Sequence, residues 1–328
     1  KIEDMVLGLK VAAPSGVIEN TGFPRHALGV DVHPLFVGSE GTLGIILQAK
    51  MQIHKIPSEY SWVVALFKDF DSGVSALKGI IQSGIHPALS RLSDPYETKM
   101  LSLFTNSETK GLKKIIQNQM KSYLKAKGYS APSMLMIMFA IGNRAYKYAV
   151  KDVIKIIKTN GGGTLPGNYS ADWEKNRFTL PYLRDTLVEH GVLIDTFETV
   201  AYWKDLPGLY SGIRQSLEQK TGYFKNGGLL FCHISHIYQT GASLYFTLLA
   251  SQEKDGYGKL QQWQIIKETV TDAIARNGGA ISHHHGIGKD HRKWYLSQLP
   301  QNTKNLLKII KTHLDPNNIL NPGKLYDE

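Results

Sequence analysis

Apolar positions along the chain recur with two periods, one typical of strands and one typical of helices. An apolar run at 60–67 is followed by apolar residues three or four positions apart, from about Asp71 to a stop at Gly84. The predicted buried face of this helix consists of Val74, Leu77, Ile80 and Ile81. A short alternating stretch at 88–92 predicts the next strand, so this part of the chain forms a β-α-β unit.

The same succession returns twice more along the chain. The apolar run 133–142 precedes a helical pattern that opens at Asn143 and stops at the glycines near 161–163. From about 197 the pattern predicts a strand at 198–203, a helix at 206–221, strands at 228–235 and 242–250, a helix at 258–277 and a strand at 279–282. This β-α-β-β-α-β order is that of a ferredoxin-like split unit. We therefore expect an α+β fold in which an antiparallel sheet with helices on one face forms the core of 58–282.

The two ends of the chain have a different pattern. Residues 1–57 contain short strand-like runs separated by Gly and Pro, with little helical period, which predicts a mostly β segment. Residues 283–328 contain a loop, a short Lys-rich helix and an extended tail. The expected organisation is thus three segments, 1–57, 58–282 and 283–328.

Composition places the chain among ordinary folded proteins, because 42% of its 328 residues are hydrophobic and 20% are charged. Lys and Arg outnumber Asp and Glu by 38 to 28, and the net charge of +10 favours anionic partners. The basic residues at 110–129 and 147–158 alternate with apolar positions at helical spacing. We interpret them as solvated helix faces, and expect no nucleic-acid partner.

The single cysteine, Cys232, lies within an apolar run. It predicts a buried thiol, excludes an intramolecular disulfide and fits a reducing compartment, cytoplasmic or peroxisomal. No apolar run approaches the ~18 residues that span a bilayer. The chain begins with neither Met nor a signal sequence, which suggests a fragment.

Three groups of residues are candidates for chemistry, and the first is the glycine-rich stretch 38–46, "GSEGTLGII". Glycines at this density let backbone N–H groups approach a phosphate or a flavin ring. The stretch has neither the Gly-Lys-Ser/Thr of a Walker loop nor the spacing of a Rossmann fingerprint. A plain β-turn and a cofactor loop both remain open from the spacing alone.

The second group is the histidine run His283, His284 and His285, followed by Gly286 and Gly288. On an extended chain the first and third imidazoles share a face and the second points away. Neutral imidazoles there could pass protons or bind an oxyanion. Further histidines, at His233, His236 and His291, form no familiar zinc spacing with the run, so we expect no metal site.

The third group consists of Arg91, Arg184 and Tyr245, each within an apolar stretch. A buried guanidinium requires an ion-pair partner or an anionic ligand. Arg184 could pair with the neighbouring Asp185, and Tyr245 could be a core residue, so structural roles stay open for all three.

Five stretches together resemble a known family. They are "GSEGTLGII", "RLSDP", "YLRDTLVEHGVLIDTFET", "SHHHGIGKDHRKWY" and "LDPNNIL". They occur in the order seen in the alkyldihydroxyacetonephosphate synthases (alkylglycerone-phosphate synthases), FAD-dependent ether-lipid enzymes of the vanillyl-alcohol-oxidase type, and the resemblance covers nearly the whole chain. The tail "NPGK" resembles instead the D-lactate and glycolate dehydrogenase branch of the same superfamily, as does "HGIG", with His284 in place of that branch's Glu.

The resemblance implies a role for each segment. Residues 1–57 match the C-terminal part of an FAD-binding domain, 58–282 match a cap domain that binds substrate, and 283–328 match a return segment packing on the FAD domain and flavin. The glycine-rich pyrophosphate loop of this family has no counterpart here. The chain therefore resembles the C-terminal portion of a longer enzyme.

The resemblance also implies roles for individual residues. Tyr245 matches the catalytic tyrosine, Arg91 an arginine required for activity, and Arg184 the substrate-binding arginine. His283, His284 and His285 match an essential triple histidine. The FAD-contacting positions are Glu40, Gly41, Thr42, Leu43, Gly44, Ile45 and Ile46, and, from the wider superfamily only, Asn321 and Lys324.

The reaction implied is an exchange without net oxidation. The fatty acid of acyl-dihydroxyacetone phosphate is replaced by a long-chain fatty alcohol while substrate C1 is held on flavin N5. Tyr245 would be the base, Arg184 would bind phosphate, and the histidines would stabilise anions and handle protons. The implied partners are a phosphorylated lipid and a fatty alcohol, and the positive charge is compatible with peripheral contact with an anionic membrane. A homodimer is compatible with the sequence.

Two alternatives stay open. The first is an FAD-linked D-2-hydroxyacid dehydrogenase or oxidase, whose metal-using members carry "GHxGDGNxH"; the stretch "CHISHIYQTGASLY" lacks its Asp-Gly turn. The second is a binding module without flavin, suggested by the missing pyrophosphate loop.

Overall fold

The computed structural model describes residues 1–20, 22–23, 27–106, 126, 128–141, 145–165 and 182–326. These residues form two compact units. Unit 1 combines Lys1–Ile56 with Ile281–Glu328, and unit 2 is the continuous stretch Pro57–Ala280. The two ends of the chain therefore fold into one unit.

Unit 1 contains a small antiparallel sheet of β1 (Val6–Ala13), β2 (Gly16–Glu19) and β3 (Ile45–Met51), in the order β2-β1-β3. Its helices α7 (Arg292–Gln298) and α8 (Gln301–Leu314) come from the C-terminal stretch. The buried core of unit 1 draws on both stretches and comprises Leu9, Val11, Phe36, Leu43 and Leu314. Short strands in the first stretch and a helix after the histidine run agree with the sequence prediction.

Unit 2 is organised around one seven-stranded sheet in the order β7-β4-β6-β5-β9-β10-β8, with every pairing antiparallel. The strands are β4 (Glu59–Phe67), β5 (Leu89–Ser93), β6 (Ser133–Ile141), β7 (Gly163–Thr164), β8 (Val192–Tyr202), β9 (Leu229–Ile234) and β10 (Gly241–Ser251). The buried residues of these strands are mostly aliphatic or aromatic. The predicted antiparallel core is thus confirmed.

The helices of unit 2 follow the strands in the predicted succession. They are α1 (Phe70–Gln82), α2 (Pro95–Asn106), α3 (Ala145–Thr159), α4 (Leu183–Glu189), α5 (Leu206–Thr221) and α6 (Gly256–Arg276). Helix α1 begins after Asp69, whose side chain accepts a hydrogen bond from the Ser72 amide, as an N-cap residue does. Helix α5 ends at Gly222, which adopts the left-handed backbone that favours glycine at a helix end.

The sheet of unit 2 contains two ferredoxin-like halves rather than one. In the first half, β4 to β7, the strands lie in the order fourth, first, third, second. In the second half, β8, β9 and β10 have the mirrored order, and a single bridge between Ala280 and Val200 marks the place of the fourth strand. The halves join where β5 pairs with β9. The predicted strand at 279–282 is wrong, because only Ala280 makes a ladder contact.

Two sequence predictions fall at or beyond the described residues. The helix predicted to open at Asn143 is described only from Ala145, and most of the basic stretch 110–129 lies outside the described residues. Among the helices that the structure does describe, none is both long and apolar enough to cross a membrane.

Candidate functional site

The structure places two of the predicted catalytic residues of unit 2 on strands separated by a single strand. Arg91 lies on β5 and Tyr245 on β10, and β9 runs between these strands. His233 on β9 is directly opposite Tyr245 and also directly opposite Ser93, two residues beyond Arg91. Because side chains two residues apart on a strand share a face, the three polar side chains lie on the same face of the sheet. Arg91, His233 and Tyr245 form one row across three strands.

His233 is the central member of this row. Its ring stacks on the ring of Tyr245, with centroids 4.8 Å apart and an interplanar angle of 20°. On its other flank, Nη1 of Arg91 lies 3.1 Å from Nε2 of His233. The imidazole is buried, whereas Arg91 and Tyr245 are partly exposed. The sheet therefore holds a phenol beside an imidazole and a guanidinium.

Glu97, on the first turn of α2, is hydrogen-bonded to two members of this row. Its Oε1 accepts a hydrogen bond of 2.9 Å from Nη2 of Arg91 and one of 2.9 Å from Nδ1 of His233. Burial opposes ionisation of this carboxyl, but its interactions with His233 and the positive charge of Arg91 outweigh it and hold its pKa at about 2. Glu97 is thus the buried counter-ion of the Arg91 guanidinium.

The protonation of His233 follows from the same contacts. Burial lowers the pKa of His233, and the adjacent Arg91 acts in the same direction, while Glu97 opposes both. Nη2 of Arg91 also lies 3.1 Å from Nδ1 of His233. Because a carboxylate can only accept and a guanidinium can only donate, we assign a neutral ring that donates its Nδ1–H to Glu97 and accepts at Nε2 from Arg91. The network therefore specifies one tautomer.

A second charged cluster lies at the same join between the halves. Asp94 accepts hydrogen bonds from the Glu97 amide (2.7 Å) and from the Tyr210 hydroxyl (2.8 Å). Nη1 of Arg214 lies 3.8 Å from Asp94, and its guanidinium stacks 3.9 Å from the centroid of Tyr96. Burial raises the pKa of Asp94 to about 6, although both hydrogen bonds act in the opposite direction. The Asp94 amide donates to the carbonyl of Cys232 on the next strand. Cys232 is buried, so the sequence prediction for this thiol is confirmed.

Arg184 lies elsewhere in unit 2, on the first turn of α4. It is exposed, although it lies within an apolar stretch of the sequence. It makes no ion pair with Asp185, nor with any other residue that the structure describes. The short helix is open to solvent, since every side chain in it except Leu187 is exposed.

In unit 1 the predicted cofactor segment, Glu40 to Ile46, divides into two parts. Thr42, Leu43 and Gly44 face the core: Thr42 donates its hydroxyl to the Ser39 carbonyl, and Leu43 is 1% exposed. A Cβ on Gly44 would meet a Val11 methyl and the Ala12 carbonyl, so this glycine permits close approach of β1. The side chains of Ile45 and Ile46, at 60% and 50% exposed, face outward.

Glu40 connects this segment to the residues after the histidine run. Its carboxylate accepts hydrogen bonds from the backbone amides of Ile287 and Gly288, the second at 2.9 Å. Its own carbonyl accepts from Nδ2 of Asn321 at 2.6 Å. Glu40 and Asn321 both have positive φ, 53° and 41°, which costs a non-glycine residue about 1 kcal/mol or more. Two strained residues from distant parts of the sequence are thus held against each other.

The tail motif "LDPNNIL" has a structural explanation. Nζ of Lys311 donates to the carbonyls of Thr42 (3.0 Å) and Leu320 (2.9 Å) and to the Asp315 carboxylate. Burial raises the pKa of Asp315, but hydrogen bonds from Lys311 and from the Leu320 and Ile319 amides outweigh it and keep the pKa below its usual range. Asn321 and Lys324 line a cavity of about 120 Å³ beside this cluster.

The histidine run follows a bend rather than an extended strand. The His283 and His284 rings are edge to face with centroids 5.3 Å apart, and those of His284 and His285 are likewise edge to face at 4.8 Å. The expected alternation, with His284 pointing away from the other two, is therefore wrong. The bend places three imidazoles in one contiguous, partly exposed cluster.

The surface of the predicted cofactor segment, Glu40 to Ile46, and of the turn before it shows which residues of unit 1 fit a contact with FAD. Gly38 and Gly41 have φ of 82° and 72°, and a Cβ on either would meet no atom within 4 Å. The turn thus leaves open space over its backbone, as a loop that a ligand approaches closely requires. Glu40, Gly41, Ile45 and Ile46 fit a flavin contact, whereas the side chains of Thr42 and Leu43 are turned into the core.

Sequence reasoning missed Glu97, and it considered His233 only as a metal ligand. A signal was present, because Glu97 follows Arg91 by six residues across a strand end and the start of a helix. An arginine within an apolar stretch requires a carboxylate or an anionic ligand within reach, and Asp94 and Glu97 were the nearest carboxylates that follow it in the sequence.

The sequence of the chain is similar to a family model and to several other proteins. A family model described as "FAD linked oxidases, C-terminal domain" matches residues 56–325. An alkyldihydroxyacetonephosphate synthase of Dictyostelium discoideum is 31% identical over 334 residues, covering 99% of this chain and 53% of that protein. A glycolate oxidase subunit of Bacillus subtilis is 25% identical, covering 98% of this chain and 63% of the subunit.

A solved alkyldihydroxyacetonephosphate synthase superposes with a TM-score of 0.72 at 26% identity, covering 98% of this chain and 53% of that one. The predicted resemblance and the predicted fold class are confirmed. The chain spans about half the length of the synthases it matches.

Proposed function

Since the chain belongs to the family of FAD linked oxidases, C-terminal domain, we propose that it is the substrate-binding and catalytic portion of an alkyldihydroxyacetonephosphate synthase-type enzyme. The family model and the synthase relatives support FAD as the cofactor and an enzymatic role. The proposed reaction exchanges the fatty acid of acyl-dihydroxyacetone phosphate for a long-chain alcohol. The observation that carries the proposal is the row of Arg91, His233 and Tyr245 across three neighbouring strands.

The exchange places specific demands on the protein. The C1–O bond to the fatty acid breaks and releases a carboxylate, and a bond from C1 to the alcohol oxygen forms, so no electrons are gained or lost overall. A proton must leave C1 next to the ketone and later return, and the alcohol must lose its proton. FAD, when bound, supplies the reactive ring atom on which the exchange depends.

Tyr245 is the proposed proton acceptor, since it is the partly exposed phenol of the row. The Arg91 guanidinium, two strands away, supplies positive charge near the reacting oxygens, and the neutral His233 between them conveys no net charge of its own. The three imidazoles at 283–285 are proposed to accept the alcohol proton and to stabilise the leaving carboxylate. These roles rest on the sequence resemblance together with the geometry within each unit.

Arg184 is the proposed phosphate ligand. It is exposed and makes no ion pair among the described residues, so none of these residues competes with a phosphate for its guanidinium. A planar guanidinium binds phosphate with two parallel hydrogen bonds, which Lys cannot reproduce. Arg184→Lys should therefore raise KM for the acyl substrate at least tenfold with little change in kcat.

The test uses the full-length product of the gene that encodes this chain, with bound FAD and without oxygen. Palmitoyl-dihydroxyacetone phosphate and labelled hexadecanol are added, and the labelled lipid and the flavin spectrum are followed together. Labelled ether lipid formed without an external electron acceptor supports the proposal. Absence of ether lipid from an enzyme with full FAD content would overturn it.

A second candidate, oxidation of a D-2-hydroxy acid, is motivated by the similarity to the glycolate oxidase subunit and by the "NPGK" tail. In that reaction the histidines would accept the substrate hydroxyl proton. Bleaching of the flavin by D-lactate or glycolate, with no ether lipid formed, would favour it.

A further inference from the structure

The contacts of Glu97 exceed what a structural ion pair requires. A single Oε1 atom receives hydrogen bonds from two different side chains, Arg91 and His233, which themselves lie 3.1 Å apart. Each of these side chains comes from a different half of the sheet, and they meet at the join of β5 and β9. Glu97 thus determines both the position of a cation and the tautomer of an imidazole.

The tautomer matters because His233 contacts Tyr245. With Nδ1–H donated to Glu97, the Nε2 lone pair accepts from Arg91, and the imidazole stays neutral while its face stacks on the phenol. If the carboxylate were lost, Nδ1–H would have no acceptor at that position, and the ring would be free to turn or to change tautomer. The phenol would then lose its fixed neighbour.

We propose that Glu97 is a positioning residue for the reaction: its carboxylate holds Arg91 and the Nδ1–H tautomer of His233 in place, and His233 in turn fixes the Tyr245 ring. This proposal rests on the proposed function in one respect, the role of Tyr245 as the proton acceptor. The orientation of His233 is a property of unit 2 alone.

The sequence has a matched control within the same unit. Asp195 on β8 accepts a hydrogen bond of 2.9 Å from Trp263 and lies 3.7 Å from Nζ of the buried Lys267. Asp195→Asn therefore also removes a carboxylate paired with a buried cation. It lies on the far side of β10 from the row and contacts none of its members.

The first measurement compares kcat and KM of the full-length holoenzyme with those of Glu97→Gln, Glu97→Asp and Asp195→Asn, each per bound FAD. We expect Glu97→Gln to lower kcat at least tenfold with KM for the acyl substrate within about threefold, and Glu97→Asp to recover part of the loss. Asp195→Asn should lower the melting temperature while kcat stays within twofold. A Glu97→Gln enzyme that is less stable but has wild-type kcat would show a merely structural role and overturn the proposal.

The second measurement does not depend on the reaction. Ring nitrogens of ¹⁵N-histidine-labelled holoenzyme are observed by NMR, and the His233 signals are identified by their loss in His233→Gln. We expect a neutral ring protonated at Nδ1 in the wild type and a different or averaged tautomer in Glu97→Leu, which leaves no acceptor at that position. A wild-type ring protonated at Nε2 would contradict the positioning role.

These two readouts separate the possible failures. A wild type that makes no ether lipid, yet shows the Nδ1–H tautomer and its loss in Glu97→Leu, refutes the proposed function and retains the role of Glu97 in orienting His233. A wild type that makes ether lipid but shows the other tautomer refutes the role of Glu97 alone.

Discussion

The two halves of the unit 2 sheet share a strand order but differ in chemistry at equivalent positions. Ser93 and His233 pair directly across the join, so a local two-fold axis there exchanges them. Opposite Ser93 on the next strand is Met134, and opposite His233 is Tyr245. The first half thus places a hydroxyl and a thioether where the second half places an imidazole and a phenol.

This difference teaches that the repeated topology determines where side chains meet, and the residue types determine what can happen there. The second half supplies the ring side chains, while the first half supplies the charges of Arg91 and Glu97. Neither half alone contains the row. The join of the two halves, rather than either half alone, produces the candidate site.

The largest effect that would test this contrast is expected for Tyr245→Phe. Loss of the phenolic oxygen removes the proposed proton acceptor and should lower kcat by about 10²- to 10⁴-fold. Initial rates of ether-lipid formation by the holoenzyme measure it, with FAD content checked in each preparation. A Tyr245→Phe enzyme that retains half of the wild-type rate would remove the chemical distinction between the halves.

The next largest effect is expected for the removal of Arg91, whose guanidinium contacts His233 across the join. Arg91→Ala leaves the Glu97 carboxylate buried without its cation, which should lower the free energy of unfolding by about 3 to 5 kcal/mol. Urea denaturation measures it. The double variant Arg91→Met with Glu97→Leu removes both charges and should be less destabilised than Arg91→Ala; equal destabilisation of the two would mean that the charge pair is not the cause.

A pH-dependent effect is expected at Asp94, three residues from Glu97 but with the opposite shift. Its folded-state pKa, about 6, lies above its unfolded value, so the native state binds the extra proton between about pH 4 and 6 and loses stability as pH rises through that range. The quantity to compare is the free energy of unfolding at pH 7.5 minus that at pH 4. Because Asp94→Asn removes the loss of stability at high pH, this difference should be more positive in the variant than in the wild type, by about 2 to 3 kcal/mol.

Glu97 provides the contrast for that experiment. Its folded-state pKa of about 2 lies below the unfolded value, so it stabilises the native state above about pH 4.5 and the contribution is lost as pH falls toward 2. Urea denaturation at several pH values separates the two carboxyls. A pH dependence of Asp94→Asn that parallels the wild type would contradict the raised pKa of Asp94.

The smallest effect is expected for Met134→Leu, at the position equivalent to Tyr245. The two side chains have similar volume, so the free energy of unfolding should change by less than about 1.5 kcal/mol. The rate of ether-lipid formation should stay within about twofold of wild type. A large loss of rate with stability retained would show that the first half also takes part in the chemistry.

The sequence predicted the strands and helices of unit 2 well, because long apolar runs and helical spacing coincide there with clear stops. Strand 60–67 and helix 206–221 were predicted within a residue or so of their observed bounds. The strand at 279–282 was not, because only Ala280 of it reaches the sheet edge, beside Val200. A short apolar run does not reveal whether a neighbouring strand extends far enough to pair with it.

The candidate site was predicted in its residue types but not in its contacts. Arg91 and Tyr245 are separated by more than 150 positions, and only the pairing of β5 with β9 brings them near His233. Glu97 was missed because only one of its partners, Arg91, is near it in sequence, while the other, His233, is 136 positions away. The bend at 283–285 was missed because the predicted alternation assumed an extended chain. Three identical residues carry no pattern of polar and apolar positions that could test this assumption.

The hydrogen bonds of Glu40 have a consequence for biosynthesis. They join residues 247 and 248 positions apart, and all of unit 2 lies between. At about 5 to 20 residues per second, the ribosome takes roughly 10 to 50 seconds to reach Ile287 after Glu40 has emerged. During that interval the outward residues of β3, Ile45, Ile46 and Leu47, have no completed unit around them. The core of unit 1 also needs Leu314 from the second stretch, so unit 1 can be completed only after all of unit 2 has been synthesised.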